Sequence, residues 1–447
     1  KQRSFLIMSA AEILVPLQPR VKELRAKLLR FVEERCIPAE EVFESQIGKG
    51  DARWKSYPQV IEELKNEARA LGLWNLWVNK EFSEGAGLTN QEYAVLAEVT
   101  GRSALAPEAC NCSAPDTGNM EVLLRYGSDT QKARWLTPLL RGEIRSSFLM
   151  TEPAVASSDA TNISCTFHRV PGGGYRINGR KWWASGAMDP RCKIAVVLGK
   201  IVEEGGAGGQ STTHSQQTML LVPMDTPGMT IVRPLSVFGY DDAPHGHAEI
   251  LLEDVVVGPE ALLLGEGKGF EIAQGRLGGG RVHHCMRIIG VTERALEAAA
   301  DRATDPAKSA FKEEYLGRLG MVQRQLARGR ASLEQSRLLV LACAAALDEE
   351  AAHSATGSKT AKTRQLVAMI KAAVPVACEH VIDDCLQIHG GGGVSQDFFL
   401  ARALVGARTL RIADGPDEVH ERSVARFELI RAIAKRKATA AGTLSKL

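Results

Sequence analysis

Residues 175–186 read YRINGRKWWASG, a β-prone run with an Asn-Gly turn signal and two adjacent tryptophans. Several runs of this kind follow one another in the middle of the chain, separated by PGGG and by the Gly/Ser/Gln-rich segment EEGGAGGQSTTHSQQ. Short runs rich in branched and aromatic residues, bounded by glycine, proline and asparagine, are typical of strands. The pattern predicts a small antiparallel β domain over residues 146–262.

Helical periodicity flanks this β region on both sides. Ahead of it, PLQPRVKELRAKLLRFVEERC and YPQVIEELKNEARALGLW repeat apolar residues at spacings of three and four, which predicts helices in residues 1–145. Behind it, long amphipathic segments with short connections predict a helix bundle in residues 263–447. Those segments are about 281–302, 311–350, 360–389 and 417–437. The expected fold class is α+β and multidomain, with an N-terminal helical domain, a middle antiparallel β domain and a C-terminal four-helix bundle.

The composition argues against several functional classes. The 447 residues carry a formal net charge of +2 and no basic stripe, so no nucleic-acid partner is expected. The longest apolar run, LLVLACAAAL at 338–347, is well short of the ~20 residues of a membrane helix, so no membrane span is expected. Nine cysteines without a Cys-x-x-Cys pair favour a reducing compartment and buried thiols.

Two local clusters suggest a metal or a nucleotide, but their context does not support either. His283, His284 and Cys285 are adjacent on a predicted helix, so their side chains point about 100° apart and cannot meet at one ion. We interpret them as packing or surface groups and expect no metal. The segment GEGKGF at 265–270 lacks both the Gly-x-Gly-x-x-Gly spacing and the βαβ context of a dinucleotide site, which favours a tight turn.

The segment RIADGPDEVHE at 411–421 holds four carboxylates. Gly-Pro is a turn signal, proline suits a first helical position, and Asp417 and Glu418 then favour a helix start through the helix dipole. Asp414 precedes that turn and is not explained by it. On these residues alone, Asp414 is either a cap or ion-pair group or a group that faces a pocket.

Four long motifs occur in order along the chain: MTEPAVASSDATNI (150–163), INGRKWWASG (177–186), QIHGGGGVSQD (387–397) and RIADGPDEVH (411–420). Together they resemble the flavin-dependent acyl-CoA dehydrogenase family. NCSAPDTGNME, SSDATN and DGPDEVH resemble most the branch of family members ten and eleven. The resemblance implies the same three-domain fold. It also implies noncovalent FAD between the β and C-terminal domains, completed by a neighbouring subunit in a homodimer or homotetramer.

The resemblance also implies an activity. Family enzymes desaturate a fatty acyl-CoA thioester in β-oxidation: a carboxylate removes the α-proton while the β-carbon gives a hydride to the flavin. The branch suggests long-chain or modified acyl-CoA, including 4-hydroxyacyl-CoA, and an electron acceptor such as electron-transfer flavoprotein. Two alternatives stay open. One is an acyl-CoA oxidase that passes electrons to oxygen, and the other is a non-catalytic acyl-lipid-binding protein.

The matched motifs assign catalytic and substrate roles to three residues. Asp414 stands where the family has its catalytic base, which is usually a glutamate. Ser158 resembles a serine that contacts phosphate or CoA atoms, although the segment is one residue longer than usual, which leaves Ser157 as its competitor. Arg281 resembles a family arginine near the base or the substrate.

The resemblance also assigns cofactor-binding residues along the chain. Lys308 stands where many relatives have an arginine, so it replaces a two-pronged phosphate contact by a point charge. The missing Cβ of a glycine suits close approach to phosphates, which is the role of the QIHGGGG segment toward a neighbour's FAD. The cofactor-binding residues implied are Met150, Thr151, Trp183, Ser185, Lys308, Phe311, Gln387 and Gly391.

The last three residues, Ser445, Lys446 and Leu447, match the receptor-read peroxisomal signal if they form the true C-terminus. A peroxisomal location is therefore expected, with mitochondria as the alternative.

Overall fold

The structure is a computed structural model that describes residues 15–202, 216–309, 314–353 and 360–440. Contacts between Cα atoms divide the chain into two compact units. The helical unit comprises Lys1–Arg25, Thr89–Arg102 and Arg281–Leu447, and the sheet unit comprises Ala26–Leu88 and Ser103–Gly280.

Short helices occupy the chain ahead of the sheet. Two of them begin at capping boxes, Thr89 with Glu92 and Ser128 with Gln131, in which side chains satisfy the free N–H groups of the first turn. They are α1 (Pro19–Phe31), α2 (Ile37–Ile47), α3 (Gln59–Ala70), α4 (Asn90–Gly101), α5 (Ala106–Ala109), α6 (Asp116–Tyr126), α7 (Asp129–Gln131) and α8 (Thr137–Leu140).

The middle of the chain forms one seven-stranded sheet in the order β1-β4-β2-β3-β7-β6, with β5 paired to β4. Its strands are β1 (Arg145–Leu149), β2 (Thr166–Arg169), β3 (Tyr175–Ser185), β4 (Cys192–Val202), β5 (Gln217–Pro223), β6 (Met229–Leu235) and β7 (His247–Val257). The predicted β region is confirmed, but the sheet is not purely antiparallel, because β1 and β2 both run parallel to β4. The remaining pairings are antiparallel.

Long helices follow the sheet. They are α9 (Gly269–Thr304), α10 (Gly320–His353), α11 (Ala361–His389), α12 (Leu400–Leu410) and α13 (Asp417–Ala440). The expected order of helices, sheet and long helices is confirmed. Two predicted starts were wrong: α9 begins ahead of 281 and includes the glycine-rich LGGG segment, and α10 begins only at Gly320, after a 3-10 turn. Glycine lowers helix propensity, which is why periodicity alone missed the first turns of α9.

Close packing inside the helical unit explains why α4 belongs to it. A Cβ on Gly101 would overlap the backbone of Arg287, and one on Gly290 would overlap the carbonyl of Glu98, so the two glycines let α4 and α9 touch. The fully buried Arg337 of α10 donates to Glu98 of α4 at 2.7 Å and to Glu293 of α9 at 2.8 Å. The predicted domain boundaries 1–145, 146–262 and 263–447 stay a prediction, since the two compact units divide the chain at other residues.

One segment within the described residues, Ala361–Gly392, is long and apolar enough to cross a membrane by length and composition alone. Its most apolar window has a mean hydropathy of 1.4 and is half buried in the structure. Core helices of bundles meet the same criteria, and this one contains the buried Lys371. The absence of a membrane span stays a prediction. Ser445, Lys446 and Leu447 lie outside the described residues, and the expected location also stays a prediction.

Candidate active site

Asp414 lies in the tight connection between α12 and α13. Its φ is +59°, in the left-handed region that aspartate tolerates better than most residues, and Gly415 follows with φ +102°. A Cβ on Gly415 would come within 2.7 Å of His420 Nε2, so a residue with a side chain does not fit there. The shape of the connection therefore requires glycine at 415 and favours aspartate or asparagine at 414.

Donors from two helices fix the backbone carbonyl of Asp414. Arg281 of α9 donates from Nε at 3.2 Å and from Nη2 at 3.0 Å, and His420 Nε2 of α13 lies at 3.1 Å. Burial lowers the pKa of His420 to about 4, so the ring is neutral and carries its proton at Nε2 to donate it. These bonds fix the backbone from which the Asp414 side chain projects, while that side chain keeps 22% of its surface exposed.

Lys371 of α11 holds the chain just before Asp414. Its Nζ donates to the carbonyl of Ala413 at 2.8 Å and to the carbonyl of Leu410. Burial lowers the pKa of Lys371 and the pKa of Arg281, and the negative charge of Asp414 offsets only part of that lowering. The buried Lys371 and the half-buried Arg281 thus lie close to one carboxylate, whose negative charge they attract.

His284 is the residue of this site that sequence reasoning missed. Its Nε2 lies 3.6 Å from Asp414 Oδ2, which is charge-interaction range and slightly longer than a hydrogen bond. On its other side, Nδ1 lies 3.2 Å from Nη2 of Arg287, which can only donate, so Nδ1 is the acceptor and Nε2 carries the proton. The sequence showed a His-His-Cys run, but its proximity to Asp414 depends on helix packing over a long sequence separation.

The other three acids of the segment do not share this setting. Asp417 begins α13 as predicted, but it is buried and pairs with Arg411 at 2.7 Å, so the expectation of a simple solvated helix start was incomplete for it. Glu418 and Glu421 are exposed. Among the four carboxylates, Asp414 is the one placed on the strained turn.

A buried ion pair organises the segment that carries Met150 and Thr151 in the sheet unit. Lys181 of β3 is fully buried and donates to Glu152 Oε1 at 2.7 Å, to the Met150 carbonyl at 3.1 Å and to the Leu198 carbonyl at 2.7 Å. The carboxylate of Glu152 also accepts bonds from Ser164 and Cys165, so its charge is well satisfied. The backbone N–H of Trp182 donates to the Thr151 carbonyl at 3.0 Å, which ties this segment to β3.

Trp183 stands beside this segment and is 39% exposed, which is unusual for tryptophan. Its φ of +51° is rare for a bulky residue, and the pairing of β3 with β7 shifts register between Lys181 and Ala184. The irregular strand therefore turns an aromatic face outward. Ser185, two residues on, bonds through Oγ to His247 Nδ1 at 2.8 Å.

The remaining predicted residues lie at several surfaces. Ser158 and Lys308 are exposed, whereas Ser157 is bonded in a local turn with the backbone of Glu152. Gln387 and Gly391 are exposed at the end of α11. Phe311 lies outside the described residues. Within the described ranges, no cluster of three or more His, Cys, Asp and Glu side chains could hold a metal ion.

The structure thus brings Arg281 to Asp414 in the helical unit, and places Met150, Thr151, Trp183 and Ser185 along neighbouring segments of the sheet unit. The assigned roles of all these residues stay predictions.

Comparisons with known proteins match most of this chain. Three family models match: the acyl-CoA dehydrogenase N-terminal domain at 18–143, the middle domain at 147–255 and the C-terminal domain at 267–429. The chain is 50% identical to "Acyl-CoA dehydrogenase family member 10" of Mus musculus, over 92% of this chain and 37% of that protein. It is 50% identical to "Probable acyl-CoA dehydrogenase FadE2" of Mycobacterium tuberculosis, over 92% of this chain and 95% of that one.

A solved structure of an acyl-CoA dehydrogenase homologue from Mycobacterium abscessus superimposes with a TM-score of 0.85 and 45% identity, over 94% of this chain and all of that one. The chain spans about half the length, or less, of several curated relatives that it matches. The three domain models match in the same order as the helices, the sheet and the long helices of the structure. The chain belongs to the acyl-CoA dehydrogenase family.

Proposed function

We propose that this protein is an FAD-dependent acyl-CoA dehydrogenase that desaturates a fatty acyl-CoA thioester between Cα and Cβ. The observation that carries the proposal is Asp414, a partly exposed carboxylate on a left-handed turn whose backbone is fixed by Arg281 and His420. Strained residues that are over-determined by their surroundings occur at functional sites more often than elsewhere. The family to which the chain belongs supplies the reaction class.

The residues of the sheet unit fit a flavin. A planar aromatic ligand suits the exposed ring of Trp183, and the hydroxyls of Thr151 and Ser185 offer polar partners nearby. Trp182 adds a buried Nε1 atom that has no hydrogen-bond partner among the described residues. Met150, Thr151, Trp183 and Ser185 would hold the ring. When bound, FAD would supply the acceptor for the hydride.

In the proposed reaction Asp414 accepts the α-proton of the thioester. An aspartate can serve where relatives use glutamate because its backbone is held firmly, so that the shorter side chain projects from a fixed point. Arg281 and Lys371 neutralise part of the local negative charge, and His284 directs an N–H toward the carboxylate. His284, Arg281 and Lys371 are positioning residues in this scheme.

The finer features of the function are also part of the proposal. The resemblance to family members ten and eleven supports long-chain or modified substrates, including 4-hydroxyacyl-CoA, in fatty-acid β-oxidation. The family supports an electron acceptor such as electron-transfer flavoprotein, with oxygen as the alternative. It supports a homodimer or homotetramer, in which the exposed Gln387 and Gly391 would serve a neighbour's FAD and the exposed Ser158 and Lys308 would meet phosphates.

Purified protein tests the proposal directly. We expect a yellow preparation with one FAD per chain, whose visible absorption bleaches under anaerobic conditions on addition of an acyl-CoA from a panel of chain lengths. Readmitting air and following reoxidation in a stopped-flow instrument separates a dehydrogenase from an oxidase. A preparation that cannot be loaded with FAD, or a loaded one that no acyl-CoA reduces, overturns the proposal.

A further inference from the structure

The buried side chain of Lys181 ties to β3 a segment that carries two residues of the proposed flavin site. Its Nζ donates to the carboxylate of Glu152 at 2.7 Å, to the carbonyl of Met150 at 3.1 Å and to the carbonyl of Leu198 at 2.7 Å. An ammonium group has three N–H donors, so every donor of Lys181 is used. Because Met150 and Glu152 flank Thr151, Lys181 holds the chain on both sides of that residue.

Further bonds fix the main chain around Thr151. The N–H of Trp182 donates to the carbonyl of Thr151 at 3.0 Å. Ser157 Oγ accepts from the N–H of Glu152 at 2.9 Å and donates to the carbonyl of Glu152 at 3.1 Å. The hydroxyl of Thr151, in contrast, makes no hydrogen bond within the part of the chain that the structure describes, and the residue is partly exposed. A firmly held backbone thus presents a hydroxyl that can bond to a ligand.

The same stretch of β3 also presents the exposed tryptophan of the site. In a regular strand, residues two positions apart face the same side, so Trp183 would be buried as Lys181 is. The positive φ of Trp183 and the shift of register between Lys181 and Ala184 turn this residue outward instead. The side chain that holds the Thr151 segment is therefore only two residues from the aromatic ring beside that segment.

Glu152, the acidic partner of Lys181, is itself held at the start of β2. Its carboxylate accepts from the N–H of Ser164 at 2.7 Å, from the hydroxyl of Ser164 at 2.5 Å and from the N–H of Cys165 at 2.9 Å. Burial raises the pKa of the Glu152 carboxyl, but the charge of Lys181 and these donors outweigh burial and hold that pKa below its ordinary value. The carboxylate is therefore an ionised and fixed anchor for Lys181.

We propose that Lys181, anchored by Glu152, is a positioning residue that fixes Thr151 beside Trp183 for binding of FAD. The inference rests on the proposed function and deepens it. Lys181 has no exposed surface and cannot contact a ligand, so its effect on FAD binding passes through the residues that it holds. A buried ion pair that served stability alone could be replaced by an uncharged pair with little loss, and this difference makes the inference testable.

The first test compares stability with FAD affinity in two variants. Lys181→Met leaves Glu152 charged and without its cation, so it should lower both. Lys181→Met combined with Glu152→Gln removes both charges and keeps a side-chain oxygen for the N–H groups of Ser164 and Cys165. The midpoint of urea unfolding should then return most of the way to the wild-type value. The carbonyl of Met150 still lacks its donor, so the FAD dissociation constant, measured by fluorescence, should stay raised by about tenfold or more, roughly the worth of one hydrogen bond.

The second test is a cycle with Thr151→Ala, which asks whether Lys181 acts through Thr151. In the wild-type background this substitution removes the unbonded hydroxyl and should weaken FAD binding by about tenfold. In the uncharged variant the hydroxyl is no longer held in place, so the same substitution should weaken binding by less than about threefold. The cycle does not depend on how far the uncharged variant recovers its stability. Lys193→Met, at an exposed lysine of β4, is the matched control and should leave both the affinity and the effect of Thr151→Ala unchanged.

The outcomes separate this inference from the function on which it rests. Wild-type protein that binds no FAD defeats the proposed function, and the cofactor role of Lys181 falls with it. If the wild type binds FAD, the inference fails alone in either of two cases. In the first, FAD affinity recovers together with the unfolding midpoint, which means that the ion pair serves stability only. In the second, Thr151→Ala costs the full tenfold or so in the uncharged variant, which means that Lys181 does not act through Thr151.

Discussion

Asp414→Asn removes one charge and leaves the shape of the candidate site almost unchanged. Asparagine tolerates the left-handed region as well as aspartate does, so φ +59° imposes no new strain. The bonds from Arg281 and His420 end on the backbone carbonyl and do not depend on the side chain. The substitution also removes the negative charge that faces Arg281 and Lys371, so we expect the free energy of unfolding to fall by about 0.5–3 kcal/mol, the usual range of single substitutions, with the fold retained.

The expected loss is confined to proton removal. A positioned general base contributes roughly 10²–10⁴ in rate, which is about 3–5 kcal/mol of activation free energy at ~1.4 kcal/mol per tenfold. The assay is the anaerobic rate of flavin bleaching at saturating acyl-CoA, followed by stopped flow. FAD content and acyl-CoA affinity should stay close to wild type, so the effect appears in the reductive step alone.

Glu418→Gln is the matched control, because it removes the same charge from an exposed acid of the same segment. We expect it to leave the bleaching rate unchanged. Asp414→Glu should slow bleaching less than Asn does, since a base is kept but its longer side chain crowds the site. Bleaching by Asp414→Asn at the wild-type rate would show that Asp414 does not take the proton and would refute this part of the reasoning.

Three further predictions concern stability. Lys181→Met leaves the buried Glu152 without its cation and should lower the free energy of unfolding, measured by urea titration, by about 3–5 kcal/mol. The control is Lys193→Met, which removes an exposed lysine of the same sheet. Equal losses in the two variants would contradict a specific role for the ion pair. Gly415→Ala combines a positive φ with a clash at His420, and should cost about 1–3 kcal/mol in the same titrations; an unchanged midpoint would contradict the strain argument. Because the folded-state pKa of His420 is depressed to about 4, its contribution is complete above its ordinary pKa of about 6.5 and is lost as the pH falls from there toward 4. His420→Gln should therefore flatten the fall in stability between about pH 7 and pH 5, and an identical pH dependence would count against this account.

Turn and helix-start signals predicted the features that depend on residues adjacent in the sequence. The Gly-Pro turn signal and the acids after it placed the start of α13 correctly at Asp417. The same rules could not show that Asp417 is buried against Arg411, because burial is decided by the helices that pack around the segment. The strand-like runs likewise predicted a β region in the middle of the chain. They carry no information on which strands pair or in which direction, so the parallel pairings of β1 and β2 with β4 were not predicted.

The sequence predicted the carboxylate of the candidate site, Asp414, but not the side chains that surround it. Asp414 was identified by its position in a motif, whereas His284 was interpreted from the sequence as a packing or surface group. The argument that adjacent helical side chains cannot share a metal ion still holds. That argument does not address whether one of these side chains faces a carboxylate far along the chain. The contact of His284 with Asp414 is determined only by how α9 packs near the α12–α13 connection.

The connection that carries Asp414 also contains the carbonyl groups that need hydrogen-bond donors at the end of α12. That helix ends at Leu410, and the last carbonyls of a helix have no helical N–H partners. Lys371 satisfies the carbonyls of Leu410 and Ala413, and Arg281 satisfies the next, that of Asp414. The donors that allow the chain to leave the helix therefore also fix the position of the candidate base. Substitutions of Lys371 or Arg281 should lower stability and rate together and cannot separate the two, whereas Asp414→Asn leaves every one of these carbonyl bonds in place.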